Sequence, residues 1–233
     1  MPNFFLNDYC EAREAPVVEP PREIPALEPV LQSWINAQRE YLKACGDDDP
    51  PWDYGERSCI GFLAGGVWLS GGVALEEWGA KKGPEGGQWN GRCDLWIRLT
   101  DRYEAYIEAK REVLPAGCKR DQVRDSIEYH LSRTTTDACK HTSGPLPEQQ
   151  LGVLFVVPAY PKHEQDGLNE RIATWLEAVY SIPHSAIAWL FPDRGELRHD
   201  VCVCPGVVLI ARTAECQTRI DARVASTPTD QPL

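Results

Sequence analysis

The chain has 233 residues, a formal net charge of −11 and 42% hydrophobic residues, which suits one globular domain with extensions or two small domains. No apolar run approaches the roughly 20 residues of a membrane helix, so we expect no membrane contact. The acidic balance counts against a generic nucleic-acid binder, because Lys and Arg make the contacts to phosphate.

The negative charge is unevenly distributed along the chain. Residues 1–56 contain 12 acidic and 4 basic residues, whereas residues 81–133 contain 9 acidic and 11 basic residues. A basic face within the second segment is therefore compatible with the acidic total, and nucleic acid stays a candidate partner.

The nine cysteines indicate the compartment. Their odd number argues against a disulfide framework, and several lie inside apolar runs, as expected of buried thiols: Cys59, Cys93, Cys202 and Cys204. The first ten residues lack a basic segment followed by a long apolar stretch, so we expect no signal peptide and a cytoplasmic location. Cys139 and His141 have no second Cys-x-x-Cys pair, and this spacing argues against a structural zinc site.

The N-terminal third predicts a leader followed by two helices. Residues 1–25 are rich in Pro and Glu and predict an extended leader that lies on the surface or lacks fixed structure. A helical stripe of apolar residues predicts a helix over residues 26–44 that ends at Gly46. The small residues of "GERSCIGFLAGGVWLSGG" predict a second helix, from about Glu56 to Leu69, that packs closely against a sheet.

The middle of the chain predicts strands and then a helix. "VALEEWG" predicts a short strand. "RCDLWIRL" alternates, with Cys93, Leu95, Ile97 and Leu99 on one face. After a tight connection at Thr100–Asp101, "RYEAYIEAK" predicts the second strand of a hairpin. A polar helix is expected from about Arg120 to Cys139.

The rest of the chain completes an α/β pattern. "LGVLFVVP" is a nearly continuous apolar run, as expected of a strand covered on both faces. A helix from about Leu168 to Tyr180, the strand "AIAWLF" and a last strand across "VCVCPGVVLIA" follow. The order predicts one α/β domain over residues 26–213, with a mixed central β-sheet flanked by helices. Residues 214–233 predict a polar, frayed tail.

The stretch "YIEAK" carries the chemistry. Because side chains alternate along a strand, Glu108 and Lys110 project from the same face. In the predicted hairpin Asp94 lies near the start of the first strand, beside the end of the second. The two carboxylates, a backbone carbonyl and waters would suit Mg²⁺, which prefers oxygen ligands. A carboxylate at Asp94, in a strand expected near the centre of the sheet, is costly without a cation.

An Asp on one strand, followed by Glu-x-Lys on the next, resembles the PD-(D/E)xK nuclease superfamily. The resemblance covers roughly residues 56–160 and implies a restriction-endonuclease-like α-β-β-β-α-β core. It implies that Asp94 and Glu108 ligate Mg²⁺ or Mn²⁺. It also implies that Lys110 orients or helps to deprotonate the attacking water and stabilises charge on the phosphate. The sequence departs from the motif at Cys93, where the superfamily name has Pro.

The resemblance also implies further site residues. A Glu from the first helix corresponds best to Glu56, and Glu76 and Glu77 are weaker candidates. Gln122 matches a Gln that some members carry in the helix after the lysine. Arg111 and Trp89 are further candidates for nucleic-acid contact, Trp89 by stacking on a base.

Three alternatives to an active nuclease monomer stay open. The chain could be a non-catalytic protein of this fold that binds a partner through its acidic N-terminal region. The Glu-x-Lys pair also has a purely structural interpretation, in which Glu104, Tyr106, Glu108 and Lys110 form an exposed strand face whose charges deter aggregation. The leader could instead occupy the cleft as an autoinhibitor, and the resemblance also allows a homodimer that cuts both strands.

Overall fold

The computed structural model of the chain describes residues 18–19, 24–46, 49–83, 87–99, 103–115, 117–141, 149–161, 168–192 and 202–215. The predicted connection at Thr100–Asp101, most of the predicted leader and nearly all of the predicted tail lie outside these residues.

Four α-helices flank the sheet: α1 (Glu28–Cys45), α2 (Glu56–Leu69), α3 (Arg120–Ala138) and α4 (Leu168–Tyr180). Short 3₁₀ turns at Pro25–Leu27 and Pro51–Tyr54 precede α1 and α2. The bounds of α2 and α4 agree with those predicted from the sequence. Within the described residues, no helix combines the length and the apolar character that crossing a membrane requires.

The strands are β1 (Val18–Glu19), β2 (Val73–Lys82), β3 (Trp89–Arg98), β4 (Glu104–Pro115), β5 (Gln149–Pro161), β6 (Ala186–Leu190), β7 (Cys202–Val203) and β8 (Val207–Thr213). They form a sheet in the order β1-β6-β8-β5-β4-β3-β2, and β7 pairs with the end of β5. Among the described strands, the central pair β4–β5 is parallel and the other pairs are antiparallel. The α/β class and the mixed sheet predicted from the sequence are confirmed.

Two apolar cores lie on opposite faces of the sheet. Helices α1 and α2 cover one face, where Trp34 and Leu63 pack against residues such as Val153 of β5. Helices α3 and α4 cover the other face, where Ile127 packs in one core with Leu154. Adjacent residues of β5 thus point into different cores, which is why its sequence is apolar without a break.

The close packing predicted for α2 has a different partner from the one expected. A Cβ atom on Gly66 would lie 2.9 Å from the backbone nitrogen of Trp34 and 2.9 Å from the carbonyl oxygen of Val30. Both atoms belong to α1. The glycine therefore allows the backbones of α1 and α2 to come into contact. The sequence had predicted that α2 would approach the sheet this closely, and not another helix.

The last predicted strand is two strands in the structure, and the prediction of a single run was wrong. Pro205 has no N–H to donate to a ladder. At Gly206 a Cβ atom would come within 2.4 Å of the Leu190 carbonyl oxygen. The chain therefore breaks between β7 and β8 so that it can pass close to the end of β6.

Part of the predicted leader belongs to the sheet. Val18 pairs with Ala188 and Glu19 with Ile187, so β1 extends the sheet at its edge beside β6. Ile24 is buried in the core beneath α1 and α2. The boundary at residue 25 therefore misses residues that contribute to the fold.

Candidate functional site

The candidate site lies where β3 leaves β4. The two strands pair from Arg98↔Glu104 to Leu95↔Ile107 and no further. Beyond this point β4 stays paired with β5 as far as Pro115. One edge of β4 is therefore open from Glu108 onwards, in the middle of the sheet. The hairpin geometry predicted from the sequence is present, although β3 lies next to the edge strand β2 and not at the centre.

The backbone is distorted at Glu77 of β2 and Asp94 of β3. Beyond this pair, the side chains of both strands point to the opposite faces of the sheet. Glu77 has φ of 51°, in the left-handed region, which is uncommon for a residue with a side chain. The register between β2 and β3 omits this pair. On one side of it Leu95 packs beneath α1 and α2, but Cys93 clusters with Tyr106 on the opposite face. The prediction that Cys93 and Leu95 share a face was therefore wrong.

Carboxylates accept hydrogen bonds from the open edge of β4. The backbone N–H of Ala109 donates to Asp94 Oδ2 at 2.8 Å. The next N–H along the same edge, that of Arg111, donates to Glu56 Oε2 at 3.3 Å. These acceptors replace the strand that would otherwise satisfy the backbone donors. Asp94 and the first residue of α2 are thereby placed along one edge, about two residues of strand apart.

Lys110 completes this group. Its Nζ lies 3.1 Å from Glu56 Oε1, so Glu56 contacts both the side chain of Lys110 and the backbone of Arg111. Burial alone would lower the pKa of Lys110, but the hydrogen bond and charge of Glu56 outweigh burial and raise the pKa above its ordinary value. Lys110 is therefore an ammonium ion at neutral pH.

Glu108 is held from the other side. Its Oε1 accepts a hydrogen bond from Lys82 Nζ at 2.7 Å and lies 2.6 Å from His141 Nε2. Lys82 reaches it across Gly91, where a Cβ atom would come within 2.9 Å of the lysine chain. His141 is fully buried, and a bridge to Lys82 positions its backbone.

The two central carboxylates differ in their protonation equilibria. Burial raises the pKa of Asp94, the Ala109 N–H partly offsets this effect, and the charge of Glu108 adds to it. Burial would also raise the pKa of Glu108, but the hydrogen bonds from His141 and Lys82 lower it overall. Environments that separate the pKa values of neighbouring acids are typical of functional sites.

The structure brings together the four residues predicted to be catalytic: Glu56, Asp94, Glu108 and Lys110. The weaker candidates for a helix glutamate lie elsewhere. Glu77 forms ion pairs with Arg57 and Arg92 on the α2 side of the sheet, and Glu76 is exposed.

The three predicted nucleic-acid contacts are placed differently. The Nε of Arg111 donates to the Trp52 carbonyl oxygen at 2.7 Å, and its backbone N–H contacts Glu56. Gln122 lies in the first turn of α3, where its side-chain oxygen accepts the backbone N–H of Lys119 and caps the helix. Trp89 is half exposed at the far end of β3, with its ring over Gly83.

Sequence reasoning missed Lys82 and His141 as partners of Glu108. They lie 26 and 33 residues from it, on different elements, and no motif spacing connects them. The sequence predicted a buried thiol at Cys93 but assigned it no part in a site. Its buried thiol lies in a group with Glu108 and His141 in which one ligand atom from each residue is within 4.8 Å of the others. Burial raises the pKa of this thiol to about 12.

No protein-family model, no curated protein and no solved structure matches this chain. The resemblance to the PD-(D/E)xK superfamily remains a prediction. It rests on Asp94, Glu108 and Lys110, on the strands that carry them and on the element order from α2 to β5.

Proposed function

We propose that the protein is a metal-dependent phosphodiesterase that cleaves nucleic acid. One observation carries the proposal: Glu56, Asp94, Glu108 and Lys110 converge where β3 separates from β4. The split exposes an edge in the interior of the sheet and lines it with acidic side chains and one ammonium. A sheet that only needed stability would keep these backbone groups paired with a strand.

The acidic side chains fit a hard divalent cation. Asp94 Oδ2 accepts the Ala109 N–H, and within the described part of the chain Oδ1 makes no hydrogen bond. The hydrogen bonds of Glu108 fall on Oε1, which leaves Oε2 as a second ligand. Carboxylate oxygens are the ligands that Mg²⁺ and Mn²⁺ prefer. When bound, such an ion would polarise a phosphoryl oxygen and lower the pKa of a coordinated water.

Lys110, Lys82 and His141 would have separate roles at this site. The Lys110 ammonium, positioned by Glu56, lies where it can donate to a phosphate oxygen or orient the attacking water. Lys82 and His141 hold Glu108 in one orientation through Oε1. Such fixed partners keep a ligand from rotating away from the ion.

The substrate class follows from the charge of the surroundings. Residues 81–133 carry a small excess of basic residues although the whole chain carries −11. Arg57 follows Glu56 in α2, Arg92 lies two residues before Asp94 in β3, and both form ion pairs with Glu77. A phosphodiester backbone is a substrate that such cations can bind, and we place DNA and RNA in this class.

One observation favours a non-catalytic protein as the second candidate. Lys82 and His141 already surround Glu108 Oε1, so Glu108 can be satisfied without an ion. In that case the group would stabilise the split sheet, and the protein would act by binding a partner.

A cleavage assay with a lysine variant separates the two candidates. The wild type is incubated with single-stranded, linear and circular DNA and with RNA, in Mg²⁺, in Mn²⁺ or in EDTA. We expect cleavage that requires the metal and falls by about 10²- to 10⁴-fold in Lys110→Met, because the variant lacks the ammonium beside the phosphate.

Lys43→Met on the exposed face of α1 is the control and should cleave like the wild type, because Lys43 pairs only with Glu40 in the described structure. Equal cleavage by Lys110→Met and the wild type would exclude the proposed role of Lys110. Neither cleavage nor Mg²⁺ or Mn²⁺ binding by the wild type would favour the partner-binding candidate.

A further inference from the structure

We propose that Cys93, Glu108 and His141 form a second metal site, which takes a softer divalent ion such as Zn²⁺ in place of the Lys82 ammonium. The site lies on the face of β4 that carries Tyr106, next to the distorted pair Glu77–Asp94 of β2 and β3. Glu108 is shared with the Mg²⁺ site proposed above, but Asp94, Glu56 and Lys110 are not among the ligands, and the test below needs no nuclease activity.

The three ligand atoms are nearly in place. One sulfur, one ring nitrogen and one carboxylate oxygen lie within 4.8 Å of one another, and the nitrogen and oxygen of His141 and Glu108 are already 2.6 Å apart. In a tetrahedral zinc site the corresponding atoms are about 3.3 to 3.6 Å apart, given Zn–S near 2.3 Å and Zn–N near 2.0 Å. Shifts of about 1 Å would therefore close the site around an ion.

The donor set selects the class of ion. A thiolate, an imidazole and a carboxylate suit Zn²⁺ or Co²⁺, whereas Mg²⁺ and Ca²⁺ require oxygen ligands. His141 offers its Nε2 to such an ion, because this ring nitrogen already lies 2.6 Å from Glu108 Oε1.

The fold holds His141 at this place. It follows the last turn of α3, and the N–H of Gly83 donates to the Lys140 carbonyl oxygen at 2.8 Å. A bridge between Lys82 and His141 adds to this link between the end of β2 and the end of α3. His141 is therefore tied to the end of β2, which pairs with the strand β3 that carries Cys93.

Lys82 occupies the position of a cation at this site. Its ammonium lies 2.7 Å from Glu108 Oε1, and its side chain is 16% exposed. It can therefore swing outwards, and its exit would open a path to the buried ligands. An ion and Lys82 would be alternative ways to neutralise the same oxygen, so removal of the lysine should strengthen metal binding.

Titration with Co²⁺ tests the site without any assay of activity. Thiolate coordination gives a charge-transfer band in the near ultraviolet. We expect one such site in the wild type, lost in Cys93→Ser and His141→Gln. Cys139→Ser is the control for adventitious binding to an exposed thiol and should keep the band, as should Asp94→Asn.

The lysine variant gives the sharpest result. In Lys82→Met we expect Co²⁺ affinity to rise by about tenfold or more, because the competing ammonium is gone. Absence of the band in the wild type would overturn the proposal. So would a band that persists in Cys93→Ser, or an affinity that Lys82→Met leaves unchanged or lowers. The lysine variant also decides the question if Cys93→Ser fails to fold.

Discussion

Asp94→Asn is expected to abolish metal-dependent cleavage, by about 10³-fold or more, while the fold stays intact. The amide oxygen of Asn can still accept the Ala109 N–H that now reaches Asp94 Oδ2, so the edge of β4 keeps its partner. What disappears is the negative charge that would hold the ion. Loss of several kcal/mol of charge stabilisation corresponds to a change in rate of this size.

The stability of the same variant provides the internal check. Burial raises the pKa of Asp94, which means that the ionised carboxylate reduces the free energy of unfolding at neutral pH. A neutral Asn removes this cost, so we expect a melting temperature equal to or above that of the wild type. Residues under functional selection often reduce stability in this way.

Glu104→Gln is the matched control on the same strand. Glu104 pairs with Arg98 of β3, away from the open edge, and its replacement should leave cleavage unchanged. A melting temperature that falls together with activity in Asp94→Asn would assign Asp94 a structural role instead. The measurements are cleavage rates at saturating Mg²⁺ and thermal unfolding followed by circular dichroism.

Arg212→Met should lower the free energy of unfolding by about 1–3 kcal/mol, because it takes a buried guanidinium away from Glu128, whose side chain is 37% exposed, and leaves the Pro183 carbonyl oxygen without its donor. The guanidinium is fully buried. It donates to both carboxylate oxygens of Glu128 at 2.7 Å and to the Pro183 carbonyl oxygen. These contacts join β8 to α3 and to the turn after α4, so their loss affects three elements at once.

Arg133→Met is the control, on α3, the helix that carries Glu128. Arg133 is exposed and contacts Tyr129 on the surface, so its replacement should change the free energy of unfolding by less than about 1 kcal/mol. Urea denaturation measures both variants. A change below about 1 kcal/mol in Arg212→Met would show that the Arg212–Glu128 ion pair contributes little to the stability of the fold.

This ion pair also has a defined pH dependence. Burial opposes ionisation of Glu128, but the hydrogen bonds and charge of Arg212 lower its pKa below the ordinary value of 4.5. A depressed carboxyl pKa adds stability above the pKa of the unfolded chain, and the stability is lost as the pH falls through the folded value. The difference in the free energy of unfolding between the wild type and Arg212→Met should therefore become smaller as the pH falls below about 4.5.

The regular parts of the fold were predictable because local patterns determine them. The bounds of α2 and α4 were predicted correctly, those of α2 from the small residues of "GERSCIGFLAGGVWLSGG" and the glycine pair that ends this stretch. The predicted hairpin placed Asp94 beside the Glu108–Lys110 segment, and the structure has it there, at Ala109 in the middle of β4. Glu56, predicted as a fourth site residue, lies at the open edge because the start of α2 faces that edge.

The rest depends on features that no local pattern reveals. The reversal of faces at Glu77 requires a left-handed backbone at a residue that is not glycine. The contacts of Lys82 and His141 with Glu108 join three elements that are distant in the sequence. The sequence predicted the residues on the two hairpin strands. The contacts of Lys82 and His141 with Glu108 were found only in the structure.

The most direct test of the proposed metal site is the anomalous scattering of crystals soaked in Mn²⁺. We expect one Mn²⁺ ion with carboxylate oxygens of Asp94 and Glu108 at about 2.1 Å and with Lys110 beside it. This peak should be missing in crystals of Asp94→Asn. If wild-type crystals bind no Mn²⁺ at these carboxylates, or if the peak persists in Asp94→Asn, the split between β3 and β4 is not a metal centre for phosphodiester cleavage.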